Sequence, residues 1–314
     1  MANPIFNKDL LDLTELSKAE FLSILDLASD FRANPAKYSQ ALKGKVLAMI
    51  FEKSSTRTRV SFESGMYRLG GNAVVLDAKN TQIARGEPTI DTANVLAGMV
   101  DAIMIRTFSD DMVAELAHYS SVPVINALTD LHHPCQILAD FQTIQEVHGT
   151  TEGVKIAYIG DGNNMAHSYL LGATILGMDV SIATPAEYAP NAEIVAQAKK
   201  IAEESGSVVE IVIEPADAVK DADFIFTDVW ASMGDEEEFG EREKVFAGKY
   251  QVNSELVKLA KDDYYFMHCL PAHRGEEVTA EIIDDPKHSL IYHEAHNRLY
   301  AQGALLMKLL LEDA

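Results

Sequence analysis

Residues 46–59 read Val46-Leu47-Ala48-Met49-Ile50-Phe51-Glu52-Lys53-Ser54-Ser55-Thr56-Arg57-Thr58-Arg59, an apolar run followed by a basic turn rich in hydroxyls. The apolar run, Val46 to Phe51, reads as a strand, and the residues after the turn lead into a helix. Ser54 to Thr58 therefore stand at a strand-to-helix turn, where hydroxyls and backbone N–H groups hold anions at a helix N-terminus. Lys53, Arg57 and Arg59 add three positive charges within seven residues. Capping a helix needs one hydroxyl and this turn carries four, so it reads as a cradle for phosphate or carboxylate built without glycines.

The same alternation of strand and helix extends along the chain. Further strands are expected at Ala73 to Asp77, Ala102 to Arg106, Val122 to Asn126, Val154 to Gly160, Asp179 to Ala183, Val208 to Ile213, Phe224 to Thr227, Tyr264 to Met267 and Leu290 to Tyr292. Helical segments separate them, which predicts an α/β protein with mostly parallel sheets. Before the first strand, Ser17 and Glu20 form a capping box. Phe21, Ile24, Leu25, Ala28 and Phe31 fall on one helix face, and Pro35 stops the helix. The helix-like stretch Cys135 to His148 separates the first four strands from the rest and places a domain boundary near it. A chain of 314 residues has room for two units at roughly 150 residues each. The last segment, His296 to Leu311, has a wide apolar helical face that must dock.

Charge and cysteine usage remove whole classes of function. The chain carries 26 basic and 48 acidic residues, a net charge of −22, which argues against nucleic-acid and anionic-membrane partners. It leaves room for a small anionic substrate, which needs only a local positive cluster. No basic n-region with an apolar stretch and no membrane-length apolar run is present, so a cytoplasmic location is expected. Cys135 and Cys269 are too few for a disulfide framework and lack zinc-site spacing.

Other strand ends carry chemistry as well. His132-His133-Pro134-Cys135-Gln136 follows the fourth strand and Arg106 ends the third, so both converge with the 54–59 turn beyond the carboxyl ends of a parallel sheet. In the second half, Gly160-Asp161-Gly162-Asn163-Asn164 resembles a dinucleotide turn but lacks its third glycine and the acidic residue on the next strand. Asp228 follows another strand and offers a carboxylate to an ammonium group. His268-Cys269-Leu270-Pro271 follows the next, and adjacent strand residues pointing to opposite faces argue against a metal there.

Taken in order, Ser55-Thr56-Arg57-Thr58, Arg106, His133-Pro134-Cys135-Gln136, Asn164, Asp228, Ser232-Met233-Gly234, His268-Cys269-Leu270-Pro271 and Arg298 resemble the aspartate/ornithine carbamoyltransferase family, on its ornithine side. The resemblance implies two Rossmann-like domains with the active site between them. The first would be a carbamoyl-phosphate domain over residues 1–133, joined by the returning C-terminal helix at about 296–314. The second would be an ornithine domain over 134–295. By matching positions, Ser55, Thr56, Arg57 and Thr58 would bind phosphate, and Arg106 and His133 would reach the carbonyl oxygen. Gln136 and the Leu270 main chain would hold the carbamoyl amide, with Cys269 and Arg298 in the same site. Asn164, Asp228, Ser232 and Met233 would hold ornithine. Arg106, His133, Asp228 and Cys269 would be the catalytic set.

Gln82 matches a segment that serves a neighbouring subunit's site, which implies a homotrimer or a multiple of trimers. Ala84, Asn94 and Gly98 depart from the family pattern near that segment. The acidic stretch Asp235 to Glu243 falls where the family has a mobile lid. The implied reaction is carbamoyl transfer from carbamoyl phosphate to the δ-amine of L-ornithine, giving L-citrulline and phosphate, with no cofactor and no metal. Alternatives are transfer to another amine such as putrescine, or a silent homologue that only binds or regulates.

Overall fold

The computed structural model describes residues 3–231 and 239–314. Backbone packing divides the chain into two units, one of residues up to Gln142 with His296–Ala314, the other Thr143–Ala295.

In the first unit, α1 (Lys18–Ala33) precedes the strands β1 (Val46–Phe51), β2 (Asn72–Asp77), β3 (Ala102–Arg106) and β4 (Val124–Leu128). Between the strands lie α2 (Thr56–Arg68), α3 (Thr89–Ala97) and α4 (Asp110–Tyr119). The expected capping box at Ser17 and Glu20 is present, and α1 buries Phe21, Ile24, Leu25, Ala28 and Phe31. The four strands are parallel in the order β2-β1-β3-β4. β3 and β4 are buried throughout, as parallel strands covered on both faces must be, whereas the edge strand β2 is half open. Ala48, Ile50, Ile103, Ile105, Val113, Leu116 and Val124 form part of this unit's core.

α5 (Pro134–His148) begins in the first unit and ends in the second. The division falls inside it, between residues 142 and 143, rather than at its start. The physical reason lies in its first turns: Cys135 Sγ donates to the Asn126 carbonyl oxygen at 3.4 Å, and Phe141 stacks on Phe21 with ring centroids 5.9 Å apart.

The second unit runs through β5 (Lys155–Ile159), α6 (Asn164–Leu176), β6 (Asp179–Ala183), α7 (Ala192–Ser205), β7 (Val209–Val212), α8 (Pro215–Val219) and β8 (Phe224–Thr227). It continues through α9 (Phe239–Phe246), α10 (Ser254–Val257), β9 (Tyr265–His268) and α11 (Ala280–Ile283). Its five strands are parallel in the order β7-β6-β5-β8-β9. Its core packs Ala157, Ile159, Ile225, Phe266, Phe246 and Trp230 together.

The expected strand at Leu290 to Tyr292 is not one. Phe266 N–H donates to the His288 carbonyl and Leu290 N–H to the Phe266 carbonyl, which makes only a single bridge beside β9. Glu294 N–H then donates to the Leu290 carbonyl and opens α12 (Ile291–Leu310), so the terminal helix starts earlier than the expected His296. Three apolar residues with aromatic and β-branched side chains fit either element, and here helical hydrogen bonding wins.

Each strand order reverses once, between β1 and β3 in the first sheet and between β5 and β8 in the second. Ligands of open parallel sheets bind beyond the carboxyl ends of strands at such reversals. The carboxyl ends of β1, β3, β5 and β8 and the residues that follow them carry Ser54 to Arg57, Arg106, Gly160 to Asn164 and Asp228.

Candidate functional site

In the first unit, Ser55 caps α2 by accepting from Thr58 N–H at 3.2 Å, so the hydroxyl-rich turn sits at that helix's N-terminus. Thr58 is buried, and its Oγ1 accepts from Arg298 Nη2 at 3.2 Å. Arg298 Nη1 donates to Gln136 Oε1 at 2.5 Å, and Gln136 Nε2 donates to Asp140 Oδ1 at 2.8 Å. Arg106 ends β3 at a shift of register against β4, where Ile105 faces Asn126 but Arg106 faces Leu128. Such an irregularity at a strand end re-aims the side chain it carries.

His133, just before α5, gathers these elements electrostatically. Burial holds its imidazole well below the ordinary histidine range, and the positive charges of Arg298, Arg106 and Arg57 lower it further. The ring is therefore neutral near pH 7, and three guanidinium groups from α12, β3 and α2 share its neighbourhood. In a chain of net charge −22 this is a concentrated positive field.

The other two cations of the turn are engaged elsewhere. Lys53 is buried, donates to Asp130 Oδ1 at 2.5 Å and lies 4.1 Å from the centre of the Phe108 ring. Arg59 is exposed and pairs with Glu63 along α2. A cavity of about 420 Å³ lies beside the cradle, lined in part by Ser54, Ser55, Thr56, Glu52 and Lys79. Gln82 is exposed, one residue before the short turn Ile83–Arg85, and its Oε1 accepts from Arg85 Nη1 at 3.5 Å.

In the second unit, Asp228 after β8 is buried and its carboxylate is the centre of a network. Oδ1 accepts from Val229 N–H at 2.9 Å and from Cys269 Sγ at 3.3 Å, and Oδ2 accepts from Asn163 Nδ2 at 2.9 Å. Asn163 caps α6, and Tyr158 OH donates to its Oδ1 at 3.2 Å. Burial pushes the Tyr158 phenol well above its ordinary value, helped by the negative charge of Asp228 and Asp161 and by Cys269. Asn164 is the first residue of α6 and half-buried. Arg242 of α9 donates to Asp161 Oδ2 at 2.6 Å and to the Trp230 carbonyl oxygen at 3.1 Å. Ser232 and Met233 lie outside the described residues, as does Asp235 to Glu238 of the acidic stretch, whose remainder joins α9.

His268 ends β9 wholly buried. Its Nδ1 accepts from Leu270 N–H at 2.9 Å, so Nε2 carries the proton and faces Glu277 Oε1 at 3.2 Å. Both ring nitrogens are thereby committed. The ligand atoms of Asp228, His268 and Cys269 lie within 4.8 Å of one another, closer than opposite strand faces would suggest. A metal there would have to break the bond to Leu270 or to Glu277.

Two residues of these networks, Asn163 and Glu277, have no role assigned from the sequence. Asn163 stood in a turn already read through its glycines, and the partner of His268 lies in a loop with no motif of its own.

Two family models match, the aspartate/ornithine carbamoyltransferase carbamoyl-P binding domain over residues 8–146 and the Asp/Orn binding domain over 152–309. An ornithine carbamoyltransferase of Listeria monocytogenes is 56% identical over 308 residues, covering 98% of this chain and 97% of that one. The solved ornithine carbamoyltransferase of Pyrococcus furiosus is 52% identical with a TM-score of 0.93, covering 98% of each chain. That of Campylobacter jejuni, an anabolic enzyme, is 44% identical with a TM-score of 0.90, covering 95% of this chain and 97% of that one. The chain belongs to the aspartate/ornithine carbamoyltransferase family.

Proposed function

We propose that the chain transfers the carbamoyl group of carbamoyl phosphate to the δ-amine of L-ornithine, giving L-citrulline and phosphate. The observation that carries this reading is the grouping of Arg57, Arg106 and Arg298 around a neutral His133, next to a hydroxyl-capped helix N-terminus. That combination suits a dianionic phosphoryl group joined to a carbonyl.

In this reading the phosphate rests on Ser55, Thr56, Arg57 and Thr58, and Arg106 and neutral His133 donate to the carbonyl oxygen. The Gln136 carbonyl oxygen has two lone pairs, so beside Arg298 it takes an N–H of the carbamoyl amide. Leu270 N–H is spent on His268, so the main-chain group that Leu270 offers this amide is its carbonyl oxygen. Ornithine rests on Asn164, Asp228, Ser232 and Met233, with Cys269 at its reacting end.

The δ-ammonium, with an ordinary pKa of about 10.4 by analogy with lysine, must lose a proton before its nitrogen can attack. Asp228 and Cys269 orient the amine, and the Asp228 carboxylate, to which the Cys269 thiol donates, receives that proton. Attack on the carbamoyl carbon places negative charge on the carbonyl oxygen, where Arg106, Thr58 and His133 stabilise it. The C–O bond to phosphate then breaks, the attacking nitrogen gives up its second proton to the departing phosphate, whose charge Arg57 neutralises, and the new C–N bond is that of citrulline. Carbamoyl phosphate is an activated anhydride, so the chemistry calls for neither a metal nor a nucleotide.

Exposed Gln82 fits a role in the site of a neighbouring copy, hence a trimer. Tyr67 and Met99, 82% and 74% exposed, offer apolar surface for such an assembly. No helix among the described residues is long and apolar enough to cross a membrane. In the same reading the chain has a role in arginine metabolism, in the cytoplasm.

The test is citrulline formation with carbamoyl phosphate and a panel of ornithine, putrescine, aspartate and acetylornithine, with Arg57→Ala as control. Turnover on ornithine alone, lost in Arg57→Ala, is expected. Turnover on another amine, or on none, overturns the reading. Mixing inactive Arg57→Ala and Gln82→Ala chains would restore activity if Gln82 serves a neighbour, and no recovery would count against the shared site.

A further inference from the structure

Asn163 is held by one end and holds with the other. Its Oδ1 accepts from Met165 N–H at 2.9 Å, Ala166 N–H at 3.3 Å and Tyr158 OH at 3.2 Å. Three donors around one atom fix which end of the amide is oxygen, because the reverse orientation would set NH₂ against them. Nδ2 is thereby directed at Asp228 Oδ2, 2.9 Å away. Oδ1 of that carboxylate already accepts from Val229 N–H and Cys269 Sγ. The N-terminus of α6 thus sets the angle of a side chain that lies beyond another strand.

We propose that Asn163, braced by Tyr158, is a positioning residue that fixes the orientation of the Asp228 carboxylate and so sets how tightly the amino-acid acceptor is held. This rests on the reading above, in which Asp228 meets the acceptor. Asn163 itself touches no reacting atom. Its contribution is to engage one lone pair of Oδ2; with both lone pairs of Oδ1 taken by Val229 N–H and Cys269 Sγ, the other Oδ2 lone pair is left at a defined angle for an ammonium group.

The cap and the positioning role separate cleanly by substitution. Aspartate and serine cap helices about as well as asparagine, so Asn163→Asp and Asn163→Ser keep α6. Asn163→Ser removes the donor to Asp228, and Asn163→Asp replaces it with a second negative oxygen. The expected result is a KM for ornithine raised about tenfold in Asn163→Ser and more in Asn163→Asp, with the KM for carbamoyl phosphate within about twofold of wild type. In Asn163→Asp the acidic limb of kcat/KM for ornithine moves to higher pH, because a carboxylate beside a carboxylate keeps its proton longer.

A residue that only caps would leave Asn163→Ser, which adds no charge, with a wild-type KM for ornithine, and that result overturns the proposal. The pH dependence of Cys269 alkylation by iodoacetamide gives a readout that needs no substrate. It moves in Asn163→Ser, which adds no charge and releases the Asp228 carboxylate that faces Cys269 Sγ. If wild type makes no citrulline while this profile still moves, the functional reading falls and the positioning role stands. If wild type makes citrulline and neither profile moves, the positioning role falls alone.

Discussion

Arg298, in α12 near the end of the chain, donates to Gln136 Oε1 in α5 at 2.5 Å while its other terminal nitrogen reaches Thr58 in α2. Three helices far apart in sequence are pinned by one guanidinium that is 2% exposed. The bond explains why a cation belongs at that point of the terminal helix: it orients the Gln136 amide and adds charge beside His133.

Arg298→Met keeps the length and apolar stem and removes the fork. Carbamoyl phosphate affinity is expected to fall at least about thirtyfold, with about 2 kcal/mol of stability lost through the unpaired Gln136 and Thr58 oxygens. Calorimetric titration and urea unfolding measure the two effects. Arg298→Lys restores charge but not the paired geometry and should recover affinity only in part. Unchanged affinity in Arg298→Met would remove this residue from the donor cradle.

His133 makes stability depend on pH in one direction. In the folded chain its imidazole is held below its ordinary value, first by burial and then by Arg298, Arg106 and Arg57, so the unfolded chain binds its proton first on acidification. Its contribution is complete above about pH 6.5, the ordinary value, and is lost as pH falls from there toward the depressed folded value. Urea unfolding of wild type between pH 7.5 and 5 is expected to show a decline that His133→Asn lessens by up to about 1.4 kcal/mol per pH unit. Equal slopes in the two proteins would mean that His133 titrates alike in both states.

The two cysteines should react very differently. Burial pushes the Cys135 thiol up to about 12, so it is expected to resist alkylation until the chain unfolds. Cys269 is half-buried and should take one equivalent of iodoacetamide, more slowly when norvaline occupies the acceptor site. Peptide mapping after limited alkylation distinguishes them. Label on Cys135 in the folded protein would contradict the packing of α5 against β4.

Parallel strands announce themselves, because burial on both faces demands unbroken apolar runs. Ala102–Arg106, Asp179–Ala183 and Phe224–Thr227 have the bounds that their composition suggests. Leu290 to Tyr292 has a strand's composition too, and only hydrogen bonding to neighbours decides that it begins a helix. Charge counting overstated the cradle, since sequence lists Lys53 and Arg59 beside Arg57 but cannot show that Asp130 and Glu63 engage them. Asn163 was hidden for a related reason: a capping asparagine looks the same whether or not its NH₂ group has work to do. His268 and Glu277 are nine residues apart and meet only because the loop folds back under β9.

Gly162 is where the turn after β5 has no space for a side chain. A Cβ there would lie 2.3 Å from Pro190 N, 2.4 Å from the Tyr188 carbonyl oxygen and 2.6 Å from the Ala189 carbonyl carbon, all main-chain atoms that cannot swing aside. Gly162 N–H also donates to that Tyr188 oxygen at 2.9 Å, so the two segments cannot part without losing a hydrogen bond. Gly162→Ala is expected to cost about 3 kcal/mol. By moving Asn163 and Asn164 it should also raise the KM for ornithine more than that for carbamoyl phosphate. Gly149→Ala is the control: its φ of +86° carries a conformational cost of about 1 kcal/mol, but a Cβ there meets nothing within 4 Å. A loss of stability no larger in Gly162→Ala than in Gly149→Ala would show that residues 188–190 yield to a side chain at 162.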